Sequence, residues 1–150
     1  MPNSNLRRTP AASVDPVVSS RMSKVRSRDT KPELRLRSAL HKRGFRYRVG
    51  VRPVRSLRRT ADIVFGPARV AVMVDGCFWH GCPEHYRPSS VNAHWWRTKI
   101  EANIRRDRET DGALRQADWL VVRIWEHEPV EVAVERVVEA VARRRPRPRL

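Results

Sequence analysis

Apolar residues recur along the chain with two different periods, and the switches between those periods divide it into elements. After Thr30-Lys31-Pro32-Glu33, the residues Leu36, Ala39 and Leu40 fall on one helical face, and Gly44 closes the run. Thr30 is placed to cap this helix, Pro32 to sit in its first turn, and Glu33 to complete a capping box. Residues 45–49 alternate apolar and basic with a period of two, which predicts a strand. A basic loop containing Pro53 follows over 50–59. Residues 61–65 and 70–74 are short apolar runs around Gly66-Pro67, and they predict a hairpin. Residues 76–92 show neither period. Helical spacing returns over 94–116, residues 119–125 predict a buried strand, and 130–142 predict an amphipathic helix with Val130, Val134, Val137 and Val138 on one stripe. No internal repeat is present. The order is therefore helix, three strands, long loop, helix, strand, helix: one α/β domain of about 115 residues.

Charge changes this picture. In 150 residues, 32 Lys and Arg face 16 Asp and Glu, and the net charge of +16 calls for a polyanionic partner, nucleic acid first. Residues 1–20, rich in Ser, Pro and Asn, predict a disordered tail, and residues 143–150, with five Arg and no acid, a flexible basic tail. The domain is then 21–142. Charge inside it says more than charge in the tails: from Lys31 to Asp62 there are eleven basic residues and two acidic ones. No run approaches the roughly 18 apolar residues of a membrane span, and the N-terminus lacks a secretory apolar run, so a cytoplasmic protein is expected. The only two cysteines lie five positions apart, which suits metal binding better than a disulfide framework.

Several residues could carry chemistry. Asp62 interrupts an apolar strand, and Asp75 ends the next one. If the two strands pair, both carboxylates reach one end of the sheet and can hold Mg²⁺ through oxygen, which would support phosphodiester cleavage. On the helix over 94–116, both Asp107 and Asp111 fall within the apolar stripe of Trp96, Ile100, Ile104 and Leu114, and periodicity does not choose between them. Arg pairing is the structural alternative for either acid. Cys77, Cys82 and His85 can reach one Zn²⁺, with His127 as the fourth ligand and His80 and His94 as rivals; a closed two-Cys, two-His shell is structural. His80 is otherwise a general base beside a metal-bound water. Phe78 and Trp79 lie on an aperiodic loop, where they serve either the core or base stacking. One of Trp95 and Trp96 belongs to the core, as do Trp119 and Trp125.

The order of these motifs resembles the very-short-patch mismatch-repair (Vsr) endonucleases. The residues that carry the resemblance are Arg28-Asp29-Thr30 with Glu33, the Asp62 strand, the run Val74-Asp75-Gly76-Cys77-Phe78-Trp79-His80-Gly81-Cys82-Pro83, Asn103 through Arg108, and Trp119 to Trp125. It implies a restriction-endonuclease-like α/β fold with the PD-(D/E)XK core, a mixed central sheet flanked by helices, and a structural zinc site. It further implies Mg²⁺-dependent nicking of double-stranded DNA, 5′ to the mispaired T of a T·G mismatch left by 5-methylcytosine deamination. By resemblance Asp62 binds Mg²⁺ together with the backbone carbonyl of Val74, His80 is the general base, Asp107 supports it, and Glu33 and Asp75 lie at the active site. Cys77, Cys82, His85 and His127 are the zinc ligands. Phe78, Trp79 and Trp96 wedge beside the mismatch, and an arm over 21–30, with Arg21, Met22 and Arg28, reaches across the DNA. The implied protein is a monomer at the bacterial nucleoid that works with mismatch-repair proteins. A nuclease of the same fold with another DNA target, or a noncatalytic zinc-containing DNA-binding module, are the alternatives.

Overall fold

A computed structural model describes residues 29–88 and 90–144. The 1–20 tail, the arm residues Arg21, Met22 and Arg28, and residues 145–150 lie outside the described residues. Seven elements follow in the expected order: α1 (Lys31–Lys42), β1 (Arg48–Val51), β2 (Ala61–Phe65), β3 (Val70–Asp75), α2 (Ala93–Gln116), β4 (Leu120–Trp125) and α3 (Val130–Arg144). The sheet order is β1-β2-β3-β4. β1–β2 and β2–β3 are antiparallel, and the predicted hairpin pairs Val64 with Ala71 and Phe65 with Val70. β4 returns parallel to β3 after the α2 crossover, with Val72 opposite Val122 and Asp75 opposite Trp125. The result is a mixed sheet. No described helix is long and apolar enough to cross a membrane.

Strand alternation gives the sheet two apolar faces. On one, Ile63, Phe65, Val70, Val72, Val122 and Ile124 meet Leu36 and Leu40 of α1 and Ala133, Val134, Val137 and Val141 of α3. This is the larger core; truncating Leu36 or Leu40 to Ala removes a fully buried side chain and costs about 2–5 kcal/mol. On the other face, Val64, Ala71, Met73 and Val121 pack with Leu114 of α2. The functional residues share this second face, at the end of the sheet where β3 and β4 terminate.

Three boundaries differ from the sequence reading. The strand expected over 45–49 begins only at Arg48. The alternation at Phe45 and Tyr47 serves packing: both rings meet Phe65 edge-on, with centroids 6.2 and 6.0 Å away, and the Tyr47 hydroxyl donates to the carbonyl of Arg37 at 2.7 Å. The capping box at α1 is half formed. The Thr30 side chain makes no cap bond, and Glu33 reaches one residue further back, accepting the Asp29 N–H at 3.0 Å. α3 continues through Arg144, two residues into the expected tail. Arg144 donates to the carbonyls of Ala68 and Asp118, which ties the last turn to the sheet and places its charge at the negative end of the helix dipole.

Candidate active site and metal-ligand cluster

Asp62 points to the α2 side because it shares the parity of Val64 on β2. The β2–β3 ladder stops at Ile63 and Val72, and the Asp62 side chain takes over from it: Oδ2 accepts the Val74 N–H at 2.7 Å. Oδ1 has no hydrogen-bond partner among the described residues. Burial pushes the Asp62 carboxyl up to about 6, and the negative charges of Glu33 and Asp75 add to this against the Val74 hydrogen bond. An ionised Asp62 therefore favours a cation beside it.

His80 sits on the loop after β3, where its N–H meets the carbonyl of Gly76 at 3.2 Å. Its Nδ1 lies 2.6 Å from Asp107 Oδ2 and 3.8 Å from Asp75 Oδ1. Burial works against a charged imidazole, but the Asp107 hydrogen bond and the charges of Asp75 and Asp107 outweigh it and raise the His80 pKa. Burial also opposes ionisation of Asp107, yet the bond to His80 wins and holds that carboxyl below its ordinary value. Nδ1 thus carries the hydrogen shared with Asp107, and Nε2 is the nitrogen free to accept a proton.

Arg123 organises the acids behind this pair. Nη1 reaches both oxygens of Asp75 at 2.9 and 3.0 Å, and Nε reaches both oxygens of Asp111 at 2.9 and 3.0 Å. Nη2 adds Asp111 Oδ1 at 2.7 Å. Burial works against the guanidinium charge, but the hydrogen bonds and charges of Asp111 and Asp75 raise its pKa. Asp75 itself is raised, because burial outweighs the attraction of His80 and Arg123. Asp75, His80 and Asp107 also present ligand atoms within 4.8 Å of one another, but Arg123 already balances the charge of Asp75. Glu33 is fully buried; its oxygens are taken by Arg37 and the Asp29 N–H, so it acts on Asp62 through its charge.

Asp62, Asp75, His80, Asp107 and Arg123 line an open cleft of about 500 Å³ together with Trp79, Asn103, Arg106 and the basic loop residues Arg52, Arg58 and Arg59. Acids and histidine at the floor with arginines along the wall can hold a phosphodiester and a cation at once.

Beside the cleft, Cys77, Cys82, His85 and His127 bring one ligand atom each within 4.8 Å of the others. Cys77 Sγ and Cys82 Sγ lie 3.2 and 3.6 Å from His127 Nδ1, and Cys82 Sγ lies 3.9 Å from His85 Nδ1. Tetrahedral ligation with Zn–S of about 2.3 Å and Zn–N of about 2.0 Å sets neighbouring ligand atoms about 3.5 Å apart, so this donor set fits zinc. Burial and the adjacent Cys82 sulfur push the Cys77 thiol up to about 12, which a bound dication would reverse. Hydrogen bonds also hold the loop: Glu126 accepts the Cys77 N–H at 3.0 Å, and the Cys82 N–H donates to the Cys77 carbonyl at 2.9 Å. Gly81 adopts φ +62°, and a Cβ there would lie 2.8 Å from Ile104 on α2. Glycine alone lets the loop both turn and press against that helix.

The family model described as DNA mismatch endonuclease Vsr matches residues 15–85. The chain is 44% identical over 125 residues to the Type II nicking enzyme V.NaeI of Lentzea aerocolonigenes, covering 82% of this chain and 75% of that protein. It is 41% identical to the Type II nicking enzyme V.XorIIP of Xanthomonas oryzae pv. oryzae, covering 71% and 77%. It is 32% identical to the DNA mismatch endonuclease Vsr of Escherichia coli, covering 72% and 68%. This chain belongs to the Vsr family.

Within this Vsr-family fold, the residues expected at the site come together as two adjoining clusters, with Asp62, Asp75, His80 and Asp107 in one and the four Cys and His in the other. Of the rival histidines, His80 turns to Asp107, and His94 lies in the first turn of α2 outside the cluster. The Asp107–Asp111 choice resolves into two jobs, one on His80 and the other on Arg123. Phe78 and Trp79 are half-buried, with Trp79 in the cleft wall and its carbonyl held by Asn103 Nδ2 at 3.1 Å. Trp96, expected beside the mismatch with Phe78 and Trp79, is 4% exposed and packs against both rings, with centroids 5.3 and 5.7 Å away. Its neighbour Trp95 is the exposed member of the pair. Arg123, Asn103 and Glu126 had no assigned role in the sequence reading. Arg123 carried a usable signal, a charge between Val122 and Ile124 in an apolar strand, the same signal that marked Asp62.

Proposed function

We propose that this protein is an endonuclease that nicks double-stranded DNA 5′ to the mispaired T of a T·G mismatch, beginning repair of deaminated 5-methylcytosine. DNA cleavage follows the Vsr family; the observation that carries the chemistry is the His80–Asp107 hydrogen bond of 2.6 Å in the same cleft as Asp62. The relatives named as nicking enzymes support a single-strand cut.

His80 Nε2 takes a proton from the attacking water as its oxygen bonds to phosphorus, and the bond to the leaving sugar oxygen breaks, that oxygen taking up a proton from solvent to become a hydroxyl. Asp107 orients the imidazole and stabilises the imidazolium that forms, and Arg123 fixes the acids behind them. Asp62 Oδ1 and the Val74 carbonyl would hold Mg²⁺, which when bound supplies positive charge for the scissile phosphate. Arg52, Arg58, Arg59 and Arg106 neutralise neighbouring phosphates without reading bases. Cys77, Cys82, His85 and His127 would hold Zn²⁺ as a structural ion. The cluster anchors the loop that carries Phe78, Trp79 and His80, so it sets both the base and the aromatic wedge. Mismatch preference then comes from Phe78 and Trp79, backed by Trp96, entering the step that unstacks most readily.

The reading is tested by incubating end-labelled T·G duplexes with Mg²⁺ and mapping the product. A single cut immediately 5′ to the mispaired T supports it; cuts in both strands, or at unrelated positions, contradict it.

A further inference from the structure

A second groove, of about 600 Å³, is lined by residues of β1, the basic loop and the β2–β3 turn. Arg46, Arg48 and Arg52 line it above Tyr47, Pro67 and Trp119. Arg52 lines the catalytic cleft as well, so the two depressions adjoin at this residue. All three guanidinium groups sit on exposed residues. Among the described residues none of the three pairs with a carboxylate, and Arg46 donates only to the neighbouring carbonyl of Phe45 at 3.2 Å. Arg37, Arg123 and Arg136, by contrast, are held by carboxylates: Arg37 pairs with Asp29 and Glu33, Arg123 with Asp75 and Asp111, Arg136 with Glu128.

We propose that this groove receives the sugar-phosphate backbone of the duplex that flanks the nick, as a second anchoring point reached from the catalytic cleft across Arg52. Solvation of an edge strand would explain Arg48 alone. It does not explain three arginines without carboxylate partners lining one groove that shares Arg52 with the catalytic cleft. A polyanion running out of the cleft meets them in sequence, and such contacts fix position and add affinity without base information. The inference rests on the DNA-cleaving reading of the cleft, and it adds where the flanking duplex lies.

The test uses the full chain and the double variant Arg46→Ala/Arg48→Ala, with two T·G duplexes and a T·A counterpart of each. One is short, and the other is extended on either side by about one helical turn, roughly 10 base pairs. Dissociation constants and single-turnover nicking rates are measured over a salt series. Wild type should bind the extended duplex more tightly than the short one, and the double variant should lose that gain. Each lost phosphate contact lowers the log–log salt slope by about 0.9, so the slope on the extended duplex should fall by about 2. Short-duplex affinity and the nicking rate at saturating protein should not change. Equal losses on short and extended duplexes, or no loss on either, overturn the proposal. If wild type cuts T·G and T·A alike while the extension effect still disappears in the variant, the groove stands and the mismatch reading falls.

Discussion

His80 Nδ1 and Asp107 Oδ2 stand 2.6 Å apart, and this contact moves the two groups in opposite directions: the imidazole is raised and the carboxyl lowered. A general base must be neutral to accept a proton. Nicking should therefore rise with pH and level off above a midpoint higher than the ordinary histidine value of 6.5. Asp107→Asn removes the charge that raises His80, so the midpoint should move down while the plateau rate falls by about 10²-fold or more. The check is a single-turnover pH profile of both proteins at fixed Mg²⁺. An unmoved midpoint would separate His80 from the titrating step.

Asp62 links activity to stability. Its carboxyl is raised from 3.8 to about 6, so the folded protein holds this proton more tightly than the unfolded chain. The associated stability is fully present below 3.8 and is lost as pH rises to about 6. Each unit of elevation corresponds to about 1.4 kcal/mol. Above that window the ionised group destabilises the Mg²⁺-free protein by an amount of order 1–3 kcal/mol. Asp62→Asn should abolish nicking yet raise Tm at pH 7.5 in buffer without Mg²⁺, with the difference vanishing near pH 4. Thermal melts across this range decide it; a variant less stable at every pH would contradict the assignment of burial as the dominant cause.

The element order was legible because each helix or strand carries its own period, and the two hairpin strands were separated by a clear Gly66-Pro67 turn. The parallel return of β4 was not, since pairing across a crossover leaves no local pattern. A charge inside an apolar strand marked Asp62, but its meaning depended on which strand ended beside it. Asp107 and Asp111 share a helical face, so spacing alone could not divide their roles; their partners His80 and Arg123 come from distant segments. Trp95 and Trp96 are adjacent, and only the packing of Phe78 and Trp79 decides which of the two is covered. Phe45 and Tyr47 show the converse, a strand-like alternation that reflects rings packed edge-on against Phe65.

Zinc should be measurable as one ion per chain by elemental analysis. Cys82 is buried between His85 and His127. Cys82→Ser should lose the ion and much of the cooperative melt, because ligand binding and folding of this loop are one process. His127→Ala should weaken retention against a chelator. A wild type that folds cooperatively without zinc would contradict the proposed ligand set.

Trp79 distinguishes wedge from core. It lines the cleft and rests on buried Trp96. Trp79→Ala should leave zinc content and affinity for matched DNA close to wild type while slowing T·G nicking about tenfold or more, a loss of at least about 1.4 kcal/mol at the transition state. Zinc content, matched-duplex affinity and nicking are read on the same preparation. Joint loss of all three would make Trp79 a structural residue.

The most direct measurement compares single-turnover nicking of two duplexes that differ only in one base pair, T·G or T·A, with Mg²⁺ and wild-type protein. Backbone charge is the same in both, so the arginines cannot tell them apart, and any difference reports on the wedge and the reacting groups beside it. The account predicts rapid cutting 5′ to the T of the T·G duplex and at least tenfold slower cutting of the T·A control, about 1.4 kcal/mol of discrimination. Equal rates on the two duplexes would contradict it.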